Sequence, residues 1–403
     1  MQAISPGKVT CRGDCIQNEF QVVTLAISRI EAFVYRAPVD TPVQTSFGLM
    51  RDRPAVFVRA TDAGGTCGWG EIWCNFPTVG AEHRARLVAS VFAPMIEGKS
   101  FASPEAAFLA LTAQTEVLAI QASEPGPIAQ CVAGIDIALW DLHARRLGAP
   151  LWRLLGGKSP TIPVYASGLN PSAPERLAVQ KLAEGYRAFK LKVGFGLERD
   201  AANLEALRGV IGDLPLMADA NQAWDLHTAT GMTAALADFD LEWLEEPLRA
   251  DRPWEEWQQL ASNTAIKFAA GENVAGFAGF EKAIESYALA VIQPDVAKWG
   301  GITGCLEMAK QILGHGLRYC PHYLGAGIGL LASAHLLAAV GGHGMLEVDA
   351  NPNPLRTLTC GPLDRVSAGR STLGEEPGLG AAPDLNALRK YAVSCAPPDI
   401  HYP

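Results

Sequence analysis

The chain has 403 residues, enough for one large domain and a smaller one. Its 42 acidic side chains outnumber 33 Lys and Arg, and a formal charge of -9 excludes the basic face that a nucleic-acid binder needs. Nine cysteines with no paired framework fit a reducing cytoplasm, no charged-then-apolar signal opens the chain, and the longest apolar stretch, near 330–340, is too short for a membrane span and carries His335.

Residues 1–24 read as an irregular extension. Its Cys11 and Cys15 form a C-x₃-C pair with no second pair to complete a metal site. Residues 25–155 read as an α+β region. Strands are expected at 29–36 and 55–61, and the turn Asp62-Ala63-Gly64-Gly65 leads into 66–72 as a hairpin partner. Helices follow at 83–96 and 104–120, both amphipathic, and at 126–147, where the run of apolar residues predicts burial.

From about residue 161 strands and helices alternate strictly. Strands are expected at 161–168, 188–193, 216–221, 241–247, 266–272, 289–295, 317–322 and 345–349. Helices include 174–186, 197–211, 254–262, 276–287, 302–313 and 327–340. Near-continuous apolar strands separated by single helices imply βαβ units in a parallel sheet. An open doubly wound sheet is the alternative. Eight regular units favour closure into a (β/α)₇β TIM-type barrel over residues 156–376. The tail, 377–403, is expected to return to the first region.

In a closed barrel the active site lies at the C-terminal ends of the strands. Here those ends carry Lys190 and Lys192, Asp219 and Asn221, Glu245 and Glu246, Glu272, Asp295, His322 and Glu347. From Lys192 onward one such residue recurs every 23 to 27 positions, one βα unit each time. Charges ending buried strands are costly without partners, so the register points to a site. Asp219, Glu245 and Glu272 come from adjacent strands and offer only oxygen, which suits Mg²⁺ first and Mn²⁺ second. Asn221 is expected to orient metal ligand or substrate. Glu246, alternating to the other face, is expected to stand outside the ligand set.

Bases flank this set. Lys190 and Lys192 share one face of their strand, and two close ammonium groups depress each other's pKa. Lys192, nearer the strand end, is the expected base, with Lys190 as its electrostatic partner. His322 and Asp295 end neighbouring strands, where a carboxylate fixes the imidazole tautomer. The chemistry that follows is removal of a proton α to a carboxylate, with the resulting enediolate stabilised by a divalent cation. Glu347, if protonated, would donate a hydrogen bond to the far oxygen.

The order K-x-K (Lys190, Lys192), D-x-N (Asp219, Asn221), E-E-P (Glu245 to Pro247), G-E (Gly271, Glu272), Q-P-D-x₄-G-G (Gln293 to Gly301) and P-H (Pro321, His322) resembles the mandelate racemase branch of the enolase superfamily. The resemblance extends to Gly68-Trp69-Gly70-Glu71, to the run Gly134 to Asp141 and to Leu154-Leu155-Gly156-Gly157. It implies that the α+β region caps the barrel, that Mg²⁺ sits on Asp219, Glu245 and Glu272, and that Lys192 and the His322–Asp295 dyad act as bases. The muconate-lactonising branch has Lys where Asp295 stands. Lys298 is expected beyond the barrel mouth, in a structural role.

That branch acts mainly on hydroxy acids, so a small carboxylate is the implied substrate. The stretches 189–196, 321–325 and 346–354 most resemble acid-sugar members, including galactarolactone cycloisomerases. Dehydration of an acid sugar is the first expectation. Lactone opening and racemisation or epimerisation of a 2-hydroxy acid are the alternatives, and a catalytically silent sugar-acid-binding protein is a remote one. Substrate choice is expected from mobile loops at 41–53 and 73–79, with Arg51, Trp73 and Phe76 as contacts. Superfamily members are often octamers or dimers, which implies a homo-oligomer.

Overall fold

The computed structural model describes residues 24–394. Cys11 and Cys15 lie outside the described residues. The cap is built on a four-stranded sheet of order β3-β2-β1-β4: β1 (Leu25–Thr45), β2 (Gly48–Asp62), β3 (Cys67–Ile72) and the short β4 (Ser100–Phe101). β1 and β2 pair antiparallel and are far longer than the sequence suggested. The segment 41–53, expected as a mobile loop, is instead the far end of this hairpin, with Val43 opposite Met50 and Thr45 opposite Gly48. Pro38 and Pro42 conceal the strand pattern, because the ladder slips between Pro38 and Val43 and resumes beyond.

Helices α1 (Gly80–Leu87), α2 (Ala93–Ile96), α3 (Pro104–Ala122) and α4 (Pro125–Arg146) complete the cap, and α5 (Leu151–Leu154) leads out of it. α4 packs backbone to backbone on β3. A Cβ on Gly70 would stand 2.0 Å from the Gly134 carbonyl, and one on Gly68 would stand 2.2 Å from that of Ala138. These glycines are therefore required by contact, as the motif containing them implies.

The barrel strands are β5 (Thr161–Leu169), β6 (Phe189–Lys192), β7 (Leu216–Asp219), β8 (Leu244–Glu245), β9 (Phe268–Ala270), β10 (Val291–Ile292), β11 (Arg318–Tyr319) and β12 (Leu346–Asp349). They pair in parallel in the order β11-β10-β9-β8-β7-β6-β5-β12. Seven helices lie between them: α6 (Pro174–Ala183), α7 (Leu197–Ile211), α8 (Leu226–Ala235), α9 (Trp254–Ser262), α10 (Phe277–Glu285), α11 (Gly301–Gly314) and α12 (Gly327–Val340). The two ends of the strand order meet where Met345 N donates to Cys320 Sγ at 3.4 Å. Inside, Tyr165, Ala188, Met217, Trp243, Ala269, Val291 and Cys320 form one packed layer, with Met345 against it. Each comes from a different strand segment, so the interior is filled like a core and the sheet is curled into a TIM-type barrel.

Beyond β13 (Arg370–Thr372), Leu379 N donates to Asp141 of α4 and Val393 N donates to the Val34 carbonyl of β1. Among the described residues no helix is long and apolar enough to cross a membrane.

Candidate active site

Lys190 and Lys192 stand on β6, Asp219 ends β7, Glu245 ends β8 and Glu347 lies in β12. Glu272, Asp295 and His322 follow β9, β10 and β11 by two or three residues. The parallel register brings all of them to one rim, where they are bonded to each other. Lys192 Nζ is 2.6 Å from Asp219 Oδ2. Lys190 Nζ is 2.6 Å from Glu245 Oε2 and 2.7 Å from Glu347 Oε1. His322 Nδ1 is 2.7 Å from Asp295 Oδ2, and its Nε2 is 3.2 Å from Glu272 Oε2. Asn221 donates to Asp219 through both its backbone and its side-chain nitrogen.

The electrostatics revise three expectations. The paired lysines do not leave one another neutral. Burial lowers both, but the charge and hydrogen bond of Asp219 together with the charge of Glu245 raise Lys192 against burial and Lys190, while Glu245 and Glu347 hold Lys190 well above its ordinary range. Glu347 is not poised as a proton donor. Burial raises its pKa, but Lys190 and His322 overcome this and bring it to about 2, and Ser167 and the backbone N–H of Tyr323 also donate to it. Glu246 does not simply alternate away from the cluster. Its backbone turns to a positive φ of 42°, and its carboxylate receives Asn273 Nδ2 at 2.8 Å. Burial, then the charges of Glu272 and Asp219, push Glu246 well above the usual carboxylate range.

Burial lowers the pKa of His322, and Glu272, Glu347 and Asp295 outweigh it, raising the imidazole to about 10. Glu245 rises to about 7, because burial exceeds the opposing effect of Lys190.

Of these groups Lys192, Glu272 and His322 line a cavity of about 260 Å³, together with Asn221, Gln222, Asn273 and Lys298. Thr45, Phe47, Trp73, Asn75 and Phe76 of the cap and Leu324 of the β11–α12 loop complete the lining. Trp73 and Phe76 are thus at the cavity, and Arg51 is not. Arg51 is exposed in the slipped part of the β1–β2 ladder, while Arg53, two residues on, is buried and 2.5 Å from Asp349. Lys298 also departs from expectation. It lies inside the mouth, 3.2 Å from Glu272 Oε2, 2.7 Å from Asn273 Oδ1 and 4.8 Å from the Trp73 ring centroid. Sequence spacing gave no sign of Phe47, which comes from the hairpin end and meets Phe76 with ring centroids 5.2 Å apart. Gln293, which opens the Q-P-D motif but carried no expected role, donates its amide to Glu245.

The donor set suits a hard divalent cation. The strand-end carboxylates provide only oxygen, and the buried Glu245 Oε1 and Asn221 Oδ1 have no hydrogen-bond partner. Side-chain cations from the same rim hold Asp219, Glu245 and Glu272, and among the described residues no three ligand groups converge as a metal shell. A dication bound here would take over a neutralising task that Lys190, Lys192, Lys298 and His322 share.

Residues 29–156 match the mandelate racemase/muconate lactonizing enzyme N-terminal domain, and residues 174–387 match the enolase C-terminal domain-like family. A mandelate racemase/muconate lactonizing enzyme from Bordetella bronchiseptica is 55% identical, with a TM-score of 0.87 over 92% of this chain and 100% of that one. A Streptomyces coelicolor racemase with bound magnesium is 30% identical, with a TM-score of 0.82 over 91% of this chain and 100% of that one. The 3,6-anhydro-alpha-L-galactonate cycloisomerase of Streptomyces coelicolor is 31% identical over 91% of this chain and 99% of its own. Further relatives are named as a D-galactarolactone cycloisomerase, as dehydratases and as a dipeptide epimerase. With both of its domains matched and its strand-end carboxylates, Lys and His gathered at one barrel mouth, the chain belongs to the mandelate racemase/muconate lactonizing enzyme family of the enolase superfamily, a family of lyases and isomerases.

Proposed function

We propose that the chain removes the proton α to the carboxylate of a cyclic sugar acid and expels the β ring oxygen, giving an open-chain 2-keto-3-deoxy acid. The observation that carries this reading is one cavity holding Lys192, His322 and an aromatic wall of Phe47, Trp73 and Phe76. An aromatic wall accepts the C–H face of a ring better than an open chain studded with hydroxyls, which would leave buried polar groups unpaired.

Mg²⁺, held by Asp219, Glu245 and Glu272, would supply electrophilic stabilisation of the charge that develops on the substrate carboxylate. The chain's own residues do the rest. Lys192, at the end of β6, takes the α-proton once Asp219 no longer holds its ammonium charged. His322, oriented through Nδ1 by Asp295, gives its Nε2 proton to the departing ring oxygen. Lys190 stays charged between Glu245 and Glu347 and keeps the floor of the site close to neutral. Asn221 orients the substrate carboxylate, and the aromatic wall excludes water. The product enol then ketonises, so substrate and product are isomers and no water is consumed.

The second reading is loss of water from an open-chain acid sugar. It rests on the dehydratase relatives, which match 62% to 67% of this chain, whereas the two cycloisomerases match 91% and 92%. The test is to incubate the Mg²⁺-loaded protein in D₂O with anhydro-aldonates, sugar lactones, aldonates and aldarates, followed by proton NMR. A 2-keto-3-deoxy product from a ring substrate, abolished by EDTA, is expected. The same product from an open-chain acid alone makes the protein a dehydratase, and deuterium at C2 of an unchanged skeleton makes it an epimerase. If no substrate exchanges its α-proton, the acid-sugar reading falls.

A further inference from the structure

The Gly68-Trp69-Gly70-Glu71 motif has no part in the chemistry above, yet Glu71 and the extended residues after it touch both loops that carry the His322–Asp295 pair. Glu71 is buried at the end of β3. Its Oε1 accepts from Ala326 N at 2.6 Å, its Oε2 accepts from Gly329 N at 2.9 Å, and the Tyr323 hydroxyl donates to it. Two residues on, Trp73 N donates to the Ala297 carbonyl at 3.2 Å. Two further, Asn75 Nδ2 donates to the Leu324 carbonyl at 2.6 Å. Alternate residues of one cap segment therefore grip the β10–α11 loop and the β11–α12 loop.

The grip on the second loop is specific. α12 begins after Ala326, whose methyl group cannot cap the helix, so the acceptors come from elsewhere: Thr359 Oγ1 takes Gly327 N, and Glu71, from the other domain, takes Gly329 N. The Tyr323 ring is threaded between Gly325 and Gly329. A Cβ at either position would stand 2.4 Å or 2.3 Å from its hydroxyl. On the other side, Tyr323 N donates to Glu347 and His322 N donates to the Pro294 carbonyl. The five residues from His322 to Ala326 are thus held at both ends, and Glu71 holds the end nearer the helix.

We propose that Glu71 is a positioning residue for His322: by capping α12 and fixing Tyr323, it sets the aim of the imidazole toward Asp295 and the cavity. The catalytic part of this inference rests on the function proposed above, and the geometric part does not. Without the carboxylate, three buried donors lose their acceptor and the loop must shift to find others. A shift near 1 Å at a reacting group costs on the order of 100-fold.

The test uses Mg²⁺-loaded Glu71→Gln and, as a milder variant, Tyr323→Phe. The Gln amide accepts from one N–H but presents its own N–H₂ to the other donors. Two readouts are taken. The first, independent of substrate, is the downfield proton resonance of the His322 Nδ1–H···Asp295 hydrogen bond, assigned by its absence in His322→Asn. The second separates α-proton exchange, carried by Lys192, from product formation, carried by His322.

The expected result is a lost or moved resonance in both variants. Product formation falls about 10- to 100-fold in Glu71→Gln and less in Tyr323→Phe, with KM within about threefold and α-proton exchange largely kept. An unchanged resonance in both variants overturns the proposal. So does a parallel loss of exchange and product formation, which marks Glu71 as merely structural. Should the wild-type protein exchange no α-proton with any substrate, the proposed function fails, and the resonance alone still decides the role of Glu71.

Discussion

Lys192 and Lys190 lie two residues apart on β6 and face the same way, yet their nearest carboxylates differ. Alternation along a strand correctly aligned them, but it could not give the sign of the net field. Carboxylates at 2.6 and 2.7 Å outweigh a like charge beside them. Replacing Lys192 with Met, or His322 with Asn, is expected to lower kcat by roughly 10²- to 10⁴-fold in a protein that keeps its circular dichroism spectrum. Arg51→Ala is the contrasting case. Exposed and away from the cavity, Arg51 should be replaceable with less than about a twofold change in kcat/KM. Steady-state kinetics on the three variants decides both points, and a large loss in Arg51→Ala would return that residue to the site. The strand-end residues were legible because one βα unit repeats and each unit ends at the same rim. Lys298 and Asn273 were not, because they sit on loops, where neither a period of two nor of 3.6 says which way a side chain points.

At the scale of elements, the barrel was read almost strand for strand, since parallel strands buried on both faces leave apolar runs between helical stretches. The cap hairpin was read only near its base. Beyond Pro38 the slipped ladder breaks the alternation that marks a strand, so 41–53 looked like a loop. The difference bears on function. A paired hairpin delivers Phe47 to the cavity wall at a fixed place, and Ser46 Oγ, donating to the Asn221 carbonyl at 2.8 Å, ties the hairpin end to the β7 rim. Phe47 is 62% exposed, so a ligand below it has apolar surface left to cover. Phe47→Ala should therefore act on binding: KM about 5- to 20-fold higher, from the loss of roughly 1–2 kcal/mol of apolar burial, with kcat within about twofold. A fall in kcat at constant KM would show instead that the hairpin acts in the chemical step.

Across the whole molecule, cap and barrel are joined by buried carboxylates at helix starts. Glu71 meets α12, and Asp136 of α4 meets α11, accepting from Thr303 N at 2.9 Å and from Thr303 Oγ1 at 2.7 Å. Trp140, one turn along α4, donates to the same Thr303 hydroxyl at 2.9 Å. The motif from Gly134 to Asp141 thus reads as a docking face, something sequence spacing alone could not say because the partner lies more than 160 residues away. This junction carries a pH signature. Burial raises Asp136 to about 8, even though Thr303 and Ile302 hydrogen bonds oppose it. A folded-state pKa above the unfolded one means that the native state holds the extra proton. The stability it contributes is complete below about pH 4 and is lost as pH rises through 8. Asp136→Asn removes this dependence and keeps an acceptor for Thr303. In metal-free protein, the melting temperature of the wild type should fall relative to Asp136→Asn by about 2 °C or more between pH 5 and pH 8. Glu71, raised to about 7 by burial, has the same sign but is present in both proteins, so it cancels from the difference. Thermal melts of the pair across that range measure the effect directly. Parallel curves would mean that Asp136 is ionised at the junction throughout, with α11's first turn strong enough to hold the charge.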